Sequence, residues 1–76
     1  MSRAFHLTFR EGVDAEGMLD RAAHELGVSP RIRRANADER GRWMIVDLDG
    51  DERDVERCLR WLADEGVTVD RIDEDG

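Results

Sequence analysis

Arg42-Trp43-Met44-Ile45-Val46-Asp47-Leu48 is the most apolar stretch of the chain, and its reading decides the fold. Side chains of a strand alternate between the two faces of a sheet. As a strand, the stretch sends Met44, Val46 and Leu48 one way and Trp43, Ile45 and Asp47 the other, and Gly50 ends it. The first face is wholly apolar and calls for a layer of helices. The second carries a tryptophan and an isoleucine and calls for cover of another kind. Upstream, Phe5-His6-Leu7-Thr8-Phe9 has the same period, with Phe5, Leu7 and Phe9 on one face and Ala4, His6 and Thr8 on the other.

Each of these strands is followed by an amphipathic helix. After the connection Arg10-Glu11-Gly12, Asp14 is placed to cap a first helix, since its carboxylate can accept from the free amides of the opening turn. Met18, Leu19, Ala22, Ala23 and Leu26 then form one apolar stripe, and Gly27 supplies the left-handed residue that commonly ends a helix. Asp51 begins a second helix with Val55, Cys58, Leu59 and Leu62 on its stripe. Asp51, Glu52 and Asp54 crowd its first turn, as the helix dipole favours, and Gly66 closes it.

Two weaker strands complete the pattern. Residues 28–36 read as a strand in which Pro30 lacks an amide donor, which predicts a sheet edge or a bulge. Asp38-Glu39-Arg40-Gly41 is a polar turn, and Val67-Thr68-Val69-Asp70-Arg71-Ile72 is the last strand. The order is βαββαβ. Right-handed crossovers leave few topologies for it, and the expected fold is an α+β, ferredoxin-like sandwich of four antiparallel strands with both helices on one face. The other face, with Trp43 and Ile45 beside His6 and Thr8, is expected to meet a partner.

The composition narrows the classes of function. The chain has 76 residues, enough for one domain: a core over about 4–72 and an acidic tail at 73–76. A domain this small hides only about 60% of the surface its unfolded chain exposes, so burial against a second subunit would stabilise it. With 12 basic residues (all arginine) against 19 acidic ones, the net charge is -7, which argues against wrapping a nucleic acid backbone. No apolar run reaches membrane-span length, and Met1-Ser2-Arg3-Ala4-Phe5-His6 lacks the core of a signal peptide. A cytoplasmic protein without membrane insertion is expected. The single cysteine, Cys58, excludes an internal disulfide framework and a four-thiolate metal site.

Little in the chain points to catalysis. His6, His24 and Cys58 have no metal-ligand spacing, and Cys58 at a stripe position reads as a small core residue. Asp47, Asp49, Asp51, Glu52 and Asp54 do not have calcium-loop offsets, and no phosphate or dinucleotide loop is present. The chain is expected to be no enzyme and to need no cofactor. The only basic cluster is Arg31, Arg33 and Arg34 on the second strand. Its guanidinium groups either answer carboxylates of a neighbouring strand or subunit, or receive a carboxylate or phosphate ligand.

Taken in order, Phe5-His6-Leu7-Thr8-Phe9, Leu26-Gly27-Val28, Ile32, Ala35-Asn36, Gly41-Arg42-Trp43-Met44-Ile45-Val46, Leu48-Asp49-Gly50, Leu59-Arg60-Trp61-Leu62 and Glu65-Gly66-Val67-Thr68-Val69 resemble the NIL domain. The resemblance implies a fold akin to amino-acid-sensing ACT domains. Domains of this family sit at the C-terminus of the ATPase subunit of bacterial methionine importers, where they pair, bind methionine and inhibit transport. It implies here a stand-alone, non-catalytic regulatory domain that binds methionine or a related small amino acid at a homodimer interface. The family's Asn-Ile-Leu-like triplet corresponds to Arg31-Ile32-Arg33, which become the candidate ligand residues. His6, Thr8, Trp43 and Ile45 become the candidate dimer or partner face. The alternative is an interaction module without a ligand, docking on a transporter ATPase or an enzyme of sulfur amino-acid metabolism.

Overall fold

The computed structural model describes residues 2–39 and 41–72. In chain order the elements are β1 (Ser2–Arg10), α1 (Ala15–Glu25), β2 (Ser29–Asp38), β3 (Gly41–Asp49), α2 (Glu52–Asp64) and β4 (Thr68–Arg71). The strands form one antiparallel sheet in the order β2-β3-β1-β4. This is the expected ferredoxin-like α+β sandwich. The acidic tail at 73–76 lies outside the described residues.

β3 and β1 hold the centre because their alternation gives each a fully apolar side. Phe5 pairs with Val46 and Leu7 with Met44, and these four with Phe9 and Leu48 are at most 1% exposed. The helices close over them with Ala15, Leu19 and Ala22 from α1 and Val55, Cys58, Leu59 and Leu62 from α2. No polar or charged side chain is buried among the described residues. The α1 stripe runs through Ala15 rather than Ala23, which is exposed. Alanine is too small to mark which side of a helix faces the core, so Leu19 and Ala22 set the phase.

The helix starts follow the acidic caps. Asp14 Oδ1 accepts from the Gly17 amide at 3.1 Å, and Asp51 Oδ1 from the Arg53 amide at 3.0 Å. Val28 and Val67 are buried joints just before β2 and β4 rather than parts of those strands. β2 is one of the two edge strands, where a missing proline donor costs least, and its bulge lies beyond Pro30, between Ile32 and Arg34. Gly41 pairs with both Asp38 and Arg10, so it belongs to the sheet and not only to the turn. Its φ is +129°, and a Cβ there would run into the Phe9 carbonyl.

A polar clamp ties the two layers together at β3. Arg42 Nη1 donates to Glu16 Oε2 at 2.9 Å, and Nη2 donates to Oε1, joining β3 to the first turn of α1. The guanidinium hydrogen bonds hold the Glu16 carboxyl below the usual carboxylate range. The pair therefore contributes in full above the ordinary glutamate pKa, and its contribution is lost as pH falls through the lowered value. Glu16→Gln is expected to lose less stability than the parent chain across that acid interval, as read by urea unfolding at a series of pH values. In the core, Met44→Ala is expected to cost about 2–5 kcal/mol in the same assay. Ala23→Gln, at an exposed helix position, is expected to stay within about 0.5 kcal/mol of the parent.

Candidate functional site

The face of the sheet away from the helices carries the remaining side chains of the alternation. His6 pairs with Ile45 and Thr8 with Trp43 across the β1–β3 ladder. On the other side of β1, Asp70 lies opposite His6 and Thr68 opposite Thr8. The four residues of the expected contact face are thus next to one another. The His6 and Trp43 rings stack at 5.2 Å between centroids and 19° between planes. That stack, with the neighbouring rows, leaves Trp43 and Ile45 half-buried although no helix covers them. The only large apolar side chain classed as exposed among the described residues is Ile32, at 46%.

The arginine strand is divided by its bulge. Arg31 pairs with Asp47 and so lies on the open face, while Ile32 pairs with Val46 and turns to the helix side. Both Arg33 and Arg34 then meet the single position of Ile45, one residue too many for a regular ladder. Arg31 lines a polar hollow of about 340 Å³ with Ser29, Pro30, Asp47 and Asp49. Arg33 and Arg34 line a second hollow, of about 410 Å³, with Ile45 and Ile72. Arg33 also reaches Asp47 at 3.6 Å, so part of the cluster answers a neighbouring strand's carboxylate. The three candidate ligand residues are therefore not brought together: Arg31 and Arg33 line separate hollows on one face, and Ile32 points to the other.

Sequence reasoning set Arg34 in the basic cluster but not among the candidate ligand residues, and it did not single out Ile72; both line the second hollow. Strict alternation puts Arg31 and Arg33 on one face and Arg34 on the opposite one, and only the extra residue of the bulge reverses the second half of β2. Ile72 follows β4, where its amide donates to the Ala4 carbonyl at 3.2 Å, and this fixes it beside the open face.

The helix side offers little reactive chemistry. Cys58 is fully buried, and loss of solvation pushes its thiol pKa up to about 11, so it stays protonated near neutrality. His24 Nδ1 lies 2.9 Å from the Asp20 carbonyl one turn back, on the exposed side of α1. The Arg21 guanidinium lies 5.5 Å from the Trp61 ring centroid and also pairs with Glu25 at 3.2 Å. Among the described residues no cluster of three or more histidine, cysteine, aspartate or glutamate side chains is arranged to hold a metal ion, and no helix is long and apolar enough to cross a membrane.

Four antiparallel strands with two helices on one side only define a ferredoxin-like α+β domain. The chain belongs to the NIL domain family, whose pattern matches residues 3–71. Among solved structures it is similar to the crystal structure of the C-terminal domain of an ABC transporter ATP-binding protein from Enterococcus faecalis. That likeness has a TM-score of 0.76 at 16% identity and covers 96% of this chain and 86% of the other, so it is a likeness of fold. No curated protein matches the chain.

Cys58 provides a direct test of the closed helix side. A water-soluble thiol reagent is expected to leave the folded chain unmodified and to react with one equivalent per chain only once denaturant opens the core. Cys58→Ser, which buries a hydroxyl without a partner, is expected to cost about 1–3 kcal/mol in urea unfolding.

Proposed function

We propose that this chain is a non-catalytic regulatory module that senses a small amino acid of the methionine type. The observation that carries the reading is the hollow of about 410 Å³ between Arg33, Arg34, Ile45 and Ile72. Its size falls at the small end of the range for ligand sites, and its lining combines an aliphatic floor with guanidinium groups. Arg34 would take the α-carboxylate through charge-assisted hydrogen bonds, and Ile45 and Ile72 would take the apolar side chain. These side chains bind without offering a nucleophile or a general base, which fits sensing better than turnover. Membership of the NIL family and the fold shared with a transporter ATPase domain support a regulatory role.

The module works as a homodimer in the cytoplasm, and a second copy completes the site. His6, Thr8, Trp43 and Ile45 form the surface it presents to the protein it regulates, a transporter ATPase or an enzyme of sulfur amino-acid metabolism. A second reading is an interaction module with no ligand, and the stacked His6–Trp43 pair beside Ile45 favours it, because aromatic groups of this kind anchor protein contacts.

Thermal unfolding with single amino acids separates the two. A ligand at a hundred times its Kd adds about 2.7 kcal/mol to the folded state. In a domain of this size that is a rise in Tm of roughly 10 °C or more. Methionine is expected to give such a rise, Arg34→Ala to abolish it, and Arg60→Ala on α2 to leave it unchanged. A chain indifferent to methionine and its relatives at millimolar concentration that still binds one of the named proteins would establish the ligand-free reading.

A further inference from the structure

The hollow lined by Arg33, Arg34, Ile45 and Ile72 offers cations and aliphatic walls. An amino acid brings two charges to such a place, and its ammonium needs an acceptor as much as its carboxylate needs a donor. The register of the sheet shows where an acceptor stands. Along β3 the open face carries Trp43, Ile45, Asp47 and Asp49 in succession, so Asp47 is the next side chain after Ile45. Asp47 pairs with Arg31 on β2 and with Ala4 on β1. Alanine rises little above the sheet, which leaves the flank of Asp47 towards β1 low. Beyond that flank Ile72 is held by its hydrogen bond to the Ala4 carbonyl.

Asp47 lines the polar hollow at Arg31 and also contacts Arg33 of the second hollow, so it stands on the wall between them. The contact with Arg33 is 3.6 Å long, and the Asp47 side chain is only 24% exposed. Hydrogen bonds between a nitrogen cation and a carboxylate close to about 2.7–2.9 Å, so this pair is held by charge alone. Asp47 therefore has lone pairs to offer a better donor in a partly shielded place. Other acceptors on this face are engaged or set apart. Asn36 Oδ1, on the open-face residue of β2 next after Arg34, accepts from the Ala37 amide at 2.8 Å. Asp49 lies two residues further from Ile45, and His6 stands between Ile45 and Asp70.

We infer that Asp47 receives the α-ammonium of the sensed amino acid while Arg34 receives its α-carboxylate. This rests on the sensor reading and names the residue that makes the site one for amino acids rather than for carboxylates in general. An α-amino acid carries both charges on a single carbon, so the groups that bind them must be neighbours. The contact of Asp47 with Arg33 meets that requirement, and the bulge sets Arg34 beside Arg33 at the level of Ile45. Seated there, the zwitterion continues an alternating order of charge: Asp47, ammonium, carboxylate, arginine. One long contact gives way to two sets of charge-assisted hydrogen bonds, and the net charge of the site is unchanged. The ligand side chain runs over Ala4 towards Ile45 and Ile72. An acid without the amino group leaves Asp47 unanswered, and a site built to bond a group discriminates against the analogue that lacks it.

Titration calorimetry with two compounds tests this: methionine, and the thioether acid that has hydrogen in place of the amino group. The parent chain is expected to bind methionine roughly tenfold or more tightly than the deaminated acid. Asp47→Asn is expected to lose about the same factor for methionine and to bind the deaminated acid as the parent does. Asp70→Asn, a carboxylate of the same face beyond His6, is expected to bind methionine as the parent does. A parent that binds both compounds equally well, or an Asp47→Asn chain with the parent's affinity for methionine, overturns the inference and leaves the sensing. Equal losses for both compounds in Asp47→Asn, or an equal loss for methionine in Asp70→Asn, also overturn it, because they describe a structural or general charge effect. A parent that binds neither compound overturns the sensor reading itself. The first comparison uses the unaltered chain, so the test stands even where a variant fails to fold.

Discussion

Two helices can cover one face of a four-stranded sheet and no more, and the rest of this domain is arranged around that constraint. The covered face takes Phe5, Leu7, Phe9, Met44, Val46 and Leu48, all close to fully buried. The bare face must be kept partly dry without a layer above it. It does so by stacking His6 on Trp43 and by setting Thr8 and Ile45 in the adjoining pairs, so that neighbours in the ladder shield one another. Cross-strand contacts of this kind are the natural unit of stabilisation for a sheet with one open side.

The same constraint distributes the charge. Ion pairs hold the periphery: Arg42 with Glu16 between sheet and helix, and Arg3 with Glu52 and Glu56, the latter at 3.4 Å, between β1 and α2. All involve at least partly solvated groups, so they orient the elements more than they stabilise them. Among the described residues the core contains no polar or charged side chain that would need such a partner. In a chain of net charge -7, the concentration of arginine on β2 is therefore a local feature of one edge, where it faces Asp47 and the second hollow.

Much of this was legible in the residues. The period of two in β1 and β3 and the stripe of α2 follow from large apolar side chains whose positions leave one solution, and the caps at Asp14 and Asp51 are local chemistry. The phase of α1 was less clear because alanines fill both candidate stripes. The site was the hardest part to read. A bulge inserts a residue for reasons of ladder geometry, and Arg33 and Arg34 are the same residue type, so the reversal of faces leaves no mark in the sequence. Pro30 signalled an edge and an irregularity nearby, without the position at which the alternation changes phase. Through that change Arg34 joins Arg33 and Ile72 around the second hollow, while Ile32 lies on the face opposite Arg31.

The bond from the Ala37 amide to its own neighbour's side chain has a further consequence. An outward amide with no strand beside it invites any extended chain, including the unfolded copies that surround a newly made protein. Asn36 occupies that amide with a removable stopper, at the cost of one side-chain rotamer. A single asparagine thereby answers, from within β2 itself, one donor that an unaccompanied strand would otherwise leave to solvent.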